Sequence, residues 1–289
     1  MNWHKTKTIF IICFLLLDIF LGYQMYQRLR ENQEQLNNFQ KSNPYESSRT
    51  VNIPREVDIP SIDGKMYFIK GTFVNFKEDD EAKKGLKKIQ GDHPEISFTT
   101  SANGQILNAV FTNDRQKIQK PKTTAEMQAF LKTFVYKGDL YKHWSTTNDK
   151  DKVIHFVQMV DGNPLYSVSV NDGDLYMLNV YTDGDLVTGY QQVLIKTTKQ
   201  NPVKVTMSGQ DAIQLIADNY LPMGHNPKVT DIEIGYINLA TDIEESRDLP
   251  YILAWYINVK SDQGNRAFFV TMFGKVYEYD NGEKSSSAN

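Results

Sequence analysis

The residues best equipped for chemistry are few and scattered. Histidines stand at His4, His93, His143, His155 and His225. A helical zinc site needs ligands that share a face, and no two of these have the i, i+4 spacing that would provide it. The only cysteine, Cys13, lies inside an apolar run, so the rest of the chain has no thiolate ligand, thiol nucleophile or disulfide. His155 falls in "VIHFVQMV", where a packed or sheet-edge histidine is expected. The stretch "NDGDLYMLNVYTDGD" has the acids of a calcium loop. Placing Gly184 at loop position six, however, puts Tyr181 and Tyr190 where ligating oxygens are needed, so these acids are assigned to turns. No G-x-S-x-G, P-loop or dinucleotide fingerprint occurs. With 32 basic and 35 acidic residues, the formal charge of −3 gives no footprint for nucleic acid. The residues point away from catalysis, and no metal or cofactor is expected.

One ionisable residue stands out by its position. Asp18 lies near the middle of "TIFIICFLLLDIFLGYQMY", residues 8–26. As a helix this run is about 28 Å long, close to the hydrocarbon thickness of a bilayer, and predicts a single transmembrane span. A cleaved signal peptide would have a shorter apolar stretch and a small-residue cleavage site. Here the run ends in Tyr23-Gln24-Met25-Tyr26, and Ile11-Ile12 before Cys13 do not suit a lipoprotein signal. Residues 1–7 are expected in the cytoplasm and everything after the anchor outside the cell. Lys5 and Lys7 nearly balance Arg28 and Arg30, so this orientation rests on export of the large C-terminal part. A charge at the bilayer centre costs about 2.5–3.5 kcal/mol, and a protonated acid still needs a hydrogen-bond partner. Helical spacing gathers Phe14, Leu15, Asp18, Leu21 and Gly22, and Gly22 lets another helix come close. This face is predicted to bind other transmembrane helices. The alternative is a carboxyl tolerated in lipid or hydrated through a local defect.

The elements beyond the anchor predict an α+β fold. Residues 27–50 read as a polar juxtamembrane spacer broken at Asn43-Pro44, with a short pairing helix as the sharper reading. Residues 51–120 form a β-rich N-terminal part of the ectodomain. In it, "KMYFIKGTFVNF" reads as strand and "KEDDEAKKGLKKIQG" as a short helix, acids first and lysines last, ended by Gly91. Lys83, Lys84, Lys87 and Lys88 would form either a basic patch or, as preferred, a solvated face. "EISFTT" and "QILNAVFT" read as strands joined at Ala102-Asn103-Gly104. A capping box, Thr123 to Glu126, then opens a helix with Met127, Phe130, Leu131 and Phe134 as its buried stripe. Ser208 to Asp211 repeats that start before Ile213, Ile216, Ala217 and Tyr220. Each helix precedes strands. "LYSVSV" alternates through Tyr166, Val168 and Val170, "AWYINV" through Trp255, Ile257 and Val259, and "FFVTMFGKVYEY" closes the second set. Asp161-Gly162, Asp172-Gly173 and Asp183-Gly184 supply hairpin turns. Two helix-plus-antiparallel-meander units are expected, 121–200 and 206–280, each helix on one sheet face. Whether they share a sheet stays open. Residues 281–289 are expected to be disordered.

The opening "MNWHKTKTIFIICFLLLDIFLGYQ" resembles the start of the YycI family: a Trp near the N-terminus, a Lys-x-Lys approach, Ile-Phe-Ile and Leu-Leu-Asp-Ile-Phe-Leu. The resemblance implies a single-pass, non-enzymatic protein of low-GC Gram-positive bacteria with an extracellular α+β domain. It also implies partners: a YycH-type protein and the sensor histidine kinase YycG (WalK), which governs cell-wall metabolism. Regulation would pass in part through transmembrane helices, and Asp18 matches the family's helix pattern. The helix-plus-meander units also resemble PepSY-type domains, which leaves a wall-facing binding or peptidase-inhibitor module as the alternative function.

Overall fold

The computed structural model describes residues 51–62, 65–112, 118–146, 153–166, 177–219, 227–238, 249–262 and 264–279. Before them it describes Lys7, Leu17, Asp18, Phe20 and Tyr23, all helical. The chain divides into one unit ending at Arg49 and a compact unit from Thr50 onward. Most of the expected span 8–26, the spacer 27–50 and the tail 281–289 lie outside the described residues. Among those described, no helix is long and apolar enough to cross a membrane.

The second unit follows the expected element order. Strand β1 (Met66–Phe73) precedes α1 (Asp80–Asp92), β2 (Ile96–Thr100) and β3 (Ile106–Phe111). Next come α2 (Thr124–Phe134), a 3-10 turn at Gly138–Leu140, and β4 (Tyr141–Thr146). They are followed by β5 (Val153–Val160), β6 (Asn163–Tyr166), β7 (Leu178–Asp183), β8 (Leu186–Val193) and β9 (Ile195–Val203). Helix α3 (Gly209–Asn219) then leads into β10 (Lys228–Asn238), β11 (Leu249–Ser261), β12 (Gly264–Thr271) and β13 (Val276–Tyr279).

Local chemistry sets these boundaries. Thr123 and Glu126 form the full capping box of α2. At α3, Asp211 N–H donates to Ser208 Oγ at 3.1 Å while Ser208 N–H donates to the Asp211 carboxylate at 3.0 Å. Asp161 and Gly162, both at positive φ, make the two-residue turn between β5 and β6. Helix α1 differs from expectation at its end. Gly91 lies inside it, the last turn has no basic residue, and His93 N–H closes the helix on the Ile89 carbonyl at 2.8 Å. A Cβ at Gly91 would meet nothing within 4 Å, so packing does not force the chain out of the helix there.

Residues 121–200 and 206–280, expected as two helix-plus-meander units, contribute their strands to a single sheet. Its main path runs β13-β12-β11-β10-β6-β5-β7-β8-β3-β2, with β4 on β5, and with β1 between β9 and β11. The sheet is mixed rather than wholly antiparallel, because β6 and β10 join in parallel through Leu165–Tyr236 and Tyr166–Ile237. All three helices pack into the same large core. Ala82 and Leu86 come from α1, Phe130 and Leu131 from α2, and Ala212, Ile213, Ile216 and Ala217 from α3. Met127 and Phe134 are only partly buried against it, and Tyr220, Val168 and Val170 lie outside the described residues. The opposite face of the sheet has its own cluster around Val157, Tyr166, Tyr256 and Phe269. The alternation in "AWYINV" therefore has both faces buried: Trp255, Ile257 and Val259 toward the helices, Ala254 and Tyr256 away from them.

Where β8 turns into β9, every carbonyl from Val193 to Ile195 is held by a different element. Tyr141 Oη donates to Val193 at 2.6 Å, Val74 N–H to Leu194 at 2.8 Å, and the Gln158 amide nitrogen to Ile195 at 2.7 Å. Ile195 N–H returns a bond of 2.9 Å to Gln158 Oε1, so this buried side chain pairs with the backbone as a neighbouring strand would. Gln158→Leu would leave two buried backbone groups unmatched. It is expected to cost about 2–4 kcal/mol, readable by denaturant titration. Asp79, the N-cap of α1, pairs with Lys196 of β9 and accepts from Ala82 N–H; first the Lys196 bond and then the Ala82 bond hold its carboxyl below the usual range. Asp79→Ala should lose about 1–2 kcal/mol at neutral pH. Because the folded value is depressed, Asp79's contribution is present above about pH 4 and disappears as pH falls through the folded value. Wild type and variant should therefore converge in acid.

Candidate functional site

A groove of about 520 Å³ lies at the start of α3. One wall is the segment Ile59–Ile62 leading into β1; the other is Val205–Gln210, with Trp255 at its base. Every one of these lining residues is uncharged. Their polar groups are largely committed. Thr206 Oγ1 donates to Met272 O at 2.8 Å, Trp255 Nε1 to Met207 O at 3.2 Å, and Ser208 Oγ to Asp211 at 2.6 Å. Such a surface can receive an uncharged, largely apolar group, but it offers neither a nucleophile nor a proton-transfer pair.

Gly209 keeps the groove's base open. A Cβ there would lie 2.5 Å from Ile59 Cγ2 and 3.3 Å from the Trp255 ring. The helix start was legible from Ser208 and Asp211, but its meeting with Ile59–Ile62 was not. That contact is long-range, and no periodicity marks it.

The residues singled out for chemistry do not converge. His155 Nδ1 lies 2.8 Å from Asn179 Oδ1. His143 packs edge-on to Phe156, and burial, followed by a smaller effect of His155, lowers its pKa. His93 packs at a tilt against Phe134, ring centroids 4.7 Å apart, and its Nδ1 lies 3.3 Å from Glu95 Oε1. His4 and His225 lie outside the described residues. No group of three or more His, Cys, Asp or Glu able to hold a metal occurs among the described residues. The turn acids are used at the surface, Asp161 with Lys199 at 2.9 Å and Asp185 with Lys122 at 3.2 Å. Of the lysines on α1, Lys83 pairs with Asp80 at 3.1 Å, as a solvated face would. Burial raises the hydroxyl pKa of Tyr141 and of Tyr190, each bonded to a backbone carbonyl. These two phenols are structural donors.

Of the predicted helix-packing face, Asp18 is described as helical and exposed, as are Leu17, Phe20 and Tyr23 beside it. Phe14, Leu15, Leu21 and Gly22 lie outside the described residues.

The fold is thus α+β, with helices on one side of a large mixed sheet. The sequence model of the YycI protein family matches residues 30–271. The chain belongs to the YycI family, which is a regulatory family. The match excludes the first 29 residues, so it is independent of the N-terminal pattern that suggested it. No curated protein matches the chain. Among solved structures, an uncharacterized protein from Eubacterium rectale is similar at TM-score 0.51 and 10% identity, covering 82% of this chain and 92% of its own. YycH from Bacillus subtilis is similar at TM-score 0.42 and 14% identity, with 82% of this chain and 60% of that one covered. The YpeB C-terminal domain of Bacillus megaterium follows at 0.37 and 13%, covering 71% and 98%.

Gly209→Ala tests the groove. Helix propensity favours alanine, yet overpacking against Ile59 is expected to dominate and cost about 1–3 kcal/mol, measured as a lower unfolding free energy.

Proposed function

We propose that this protein is a single-pass membrane regulator, N-terminus in the cytoplasm, that adjusts a sensor histidine kinase of the YycG (WalK) type together with a YycH-type protein. Membership of the YycI family over residues 30–271 is the observation that carries this reading. The anchor packs beside the kinase's transmembrane helices through Phe14, Leu15, Asp18, Leu21 and Gly22, and the ectodomain engages the partner proteins outside. The protein does no chemistry of its own. It biases which of two kinase states is populated, and a coupling of about 1–3 kcal/mol changes output by about 5–150-fold. The uncharged groove at α3 favours a second reading, a wall-facing binding module of PepSY type.

Asp18→Leu removes the polar contact while improving membrane insertion. Transcription of kinase-controlled genes should shift in cells carrying it at equal protein level; unchanged transcription excludes the helix mechanism. An ectodomain that keeps full function on an unrelated anchor would favour the binding module instead.

A further inference from the structure

The sheet face turned away from the helices is polar and uncharged across β2, β3, β8, β7 and β5. On these strands Leu107, Ala109, Tyr190, Leu178, Val180 and Ile154 enter the helix-side core. The residues between them belong to the opposite face, because successive side chains alternate. Cross-strand pairing aligns them in two rows. One is Thr99, Asn108, Gln191, Asn179 and His155. The other, two positions along each strand, is Ser97, Val110, Gly189, Tyr181 and Val153. No Lys, Arg, Asp or Glu stands in either row.

The first row is a chain of amides. Gln191 Nε2 donates to Asn108 Oδ1 at 3.1 Å, and His155 Nδ1 lies 2.8 Å from Asn179 Oδ1, which places a proton on that nitrogen. Each amide is thus engaged through one of its two ends. The other ends, Asn108 Nδ2, Gln191 Oε1 and Asn179 Nδ2, run donor, acceptor, donor across three adjacent strands. All three residues are half-buried, so neighbours hold them while solvent still reaches them. In the second row, Gly189 is required by close approach: a Cβ there would lie 2.4 Å from the Ala109 carbonyl oxygen. The side chains flanking this bare position are both exposed, Val110 at 48% and Tyr181 at 40%.

These features select among ligands. Nucleic acid and anionic lipid need a cationic surface, and the rows have no cation. A protein partner needs a contiguous apolar centre, but here two apolar side chains are separated by glycine and bordered by amides. A glycan fits both rows. Its hydroxyls donate and accept, so they match the alternating amide ends without burying charge, and the C–H face of a pyranose packs on an exposed tyrosine ring. Spacing agrees as well. Neighbouring strands lie about 4.8 Å apart, and a β-linked pyranose chain advances by a similar step per ring, so successive sugars fall over successive strands.

We propose that Asn108, Gln191, Asn179 and Tyr181 form a binding surface for an uncharged β-linked glycan chain, with Tyr181 as the stacking platform and the amides as the hydrogen-bonding row. The surface lies on the opposite sheet face from the groove at α3, and kinase regulation does not depend on it. Chitohexaose and cellohexaose, uncharged β-linked chains with and without N-acetyl groups, provide the probes. Each is titrated calorimetrically into the full chain, held in a detergent without a sugar headgroup. At least one should bind saturably. Tyr181→Ala should weaken that binding about tenfold, whereas Tyr181→Phe keeps it. Gln191→Leu should weaken it several-fold. Val110→Tyr adds a second ring across Gly189 and should tighten it several-fold. No saturable binding of either chain, equal binding in Tyr181→Ala, or unchanged binding in Val110→Tyr would each overturn the surface. No glycan binding together with altered co-purification of proteins in Tyr181→Ala would make the face a protein contact instead. Val110→Tyr reports in the opposite direction from Tyr181→Ala, so a fold defect cannot imitate the expected pattern.

Discussion

The second unit depends on satisfying the backbone where β8 becomes β9. A corner inside a core would bury several peptide groups without ladder partners, and such groups are costly. The chain meets this with side chains: Tyr141 from β4 and Gln158 from β5, while Gln192 donates to the Tyr136 carbonyl beyond α2 at 2.7 Å. The same bonds connect β4, β5, β8, β9 and the segment that follows α2. A buried glutamine in this role is more specific than an apolar residue, because it accepts only one register of the neighbouring backbone. With the corner held, β9 can leave the first meander and pair with β1, which in turn lies against β11 of the second.

The sheet separates two kinds of surface. Toward the helices lies a continuous apolar core that includes residues from the N-terminal strands and from both meanders. On the other face, Trp144, Tyr166, Tyr256 and Phe269 pack with ring centroids 4.9–5.7 Å apart, within the range where edge-to-face contacts are favourable. This aromatic group draws on β4, β6, β11 and β12, and it reinforces the parallel junction of β6 with β10, which by itself has only two residue pairs. Side-chain packing therefore joins the meanders where the backbone ladder is shortest. The uncharged groove, with Trp255 at its base, and the amide row of β3, β8 and β7 lie on opposite faces of the sheet.

Local signals were legible in the sequence because their causes are local. Thr123 with Glu126 and Ser208 with Asp211 located two helix starts, and Asp161-Gly162 located a hairpin. The limits of locality show equally clearly. Gly91 suggested a helix end, but the hydrogen bond from His93 carries α1 past it. Alternation in "AWYINV" suggested one buried face, because a strand covered on both sides can still contain residues such as Tyr256 and Asn258 that read as polar. The shared sheet depends on Tyr166 meeting Ile237 across a long separation, and nothing near either residue announces that pairing. The groove and the amide row were invisible for the same reason: each is assembled from segments distant in the chain. The N-terminal resemblance and the family match rest on different residues, 1–27 and 30–271, and they agree.

The entry of the chain into this unit has a mechanical meaning. Asn52 pairs in parallel with Lys228, donating its N–H to the Pro227 carbonyl at 3.0 Å and accepting from Val229 N–H at 2.9 Å. Tension applied at residue 50 along the strand direction loads both bonds together in shear instead of opening them one after the other. The load passes directly into the start of β10, the strand that pairs with the central strand β11. A displacement of the chain at residue 50 is thus delivered to the middle of the sheet.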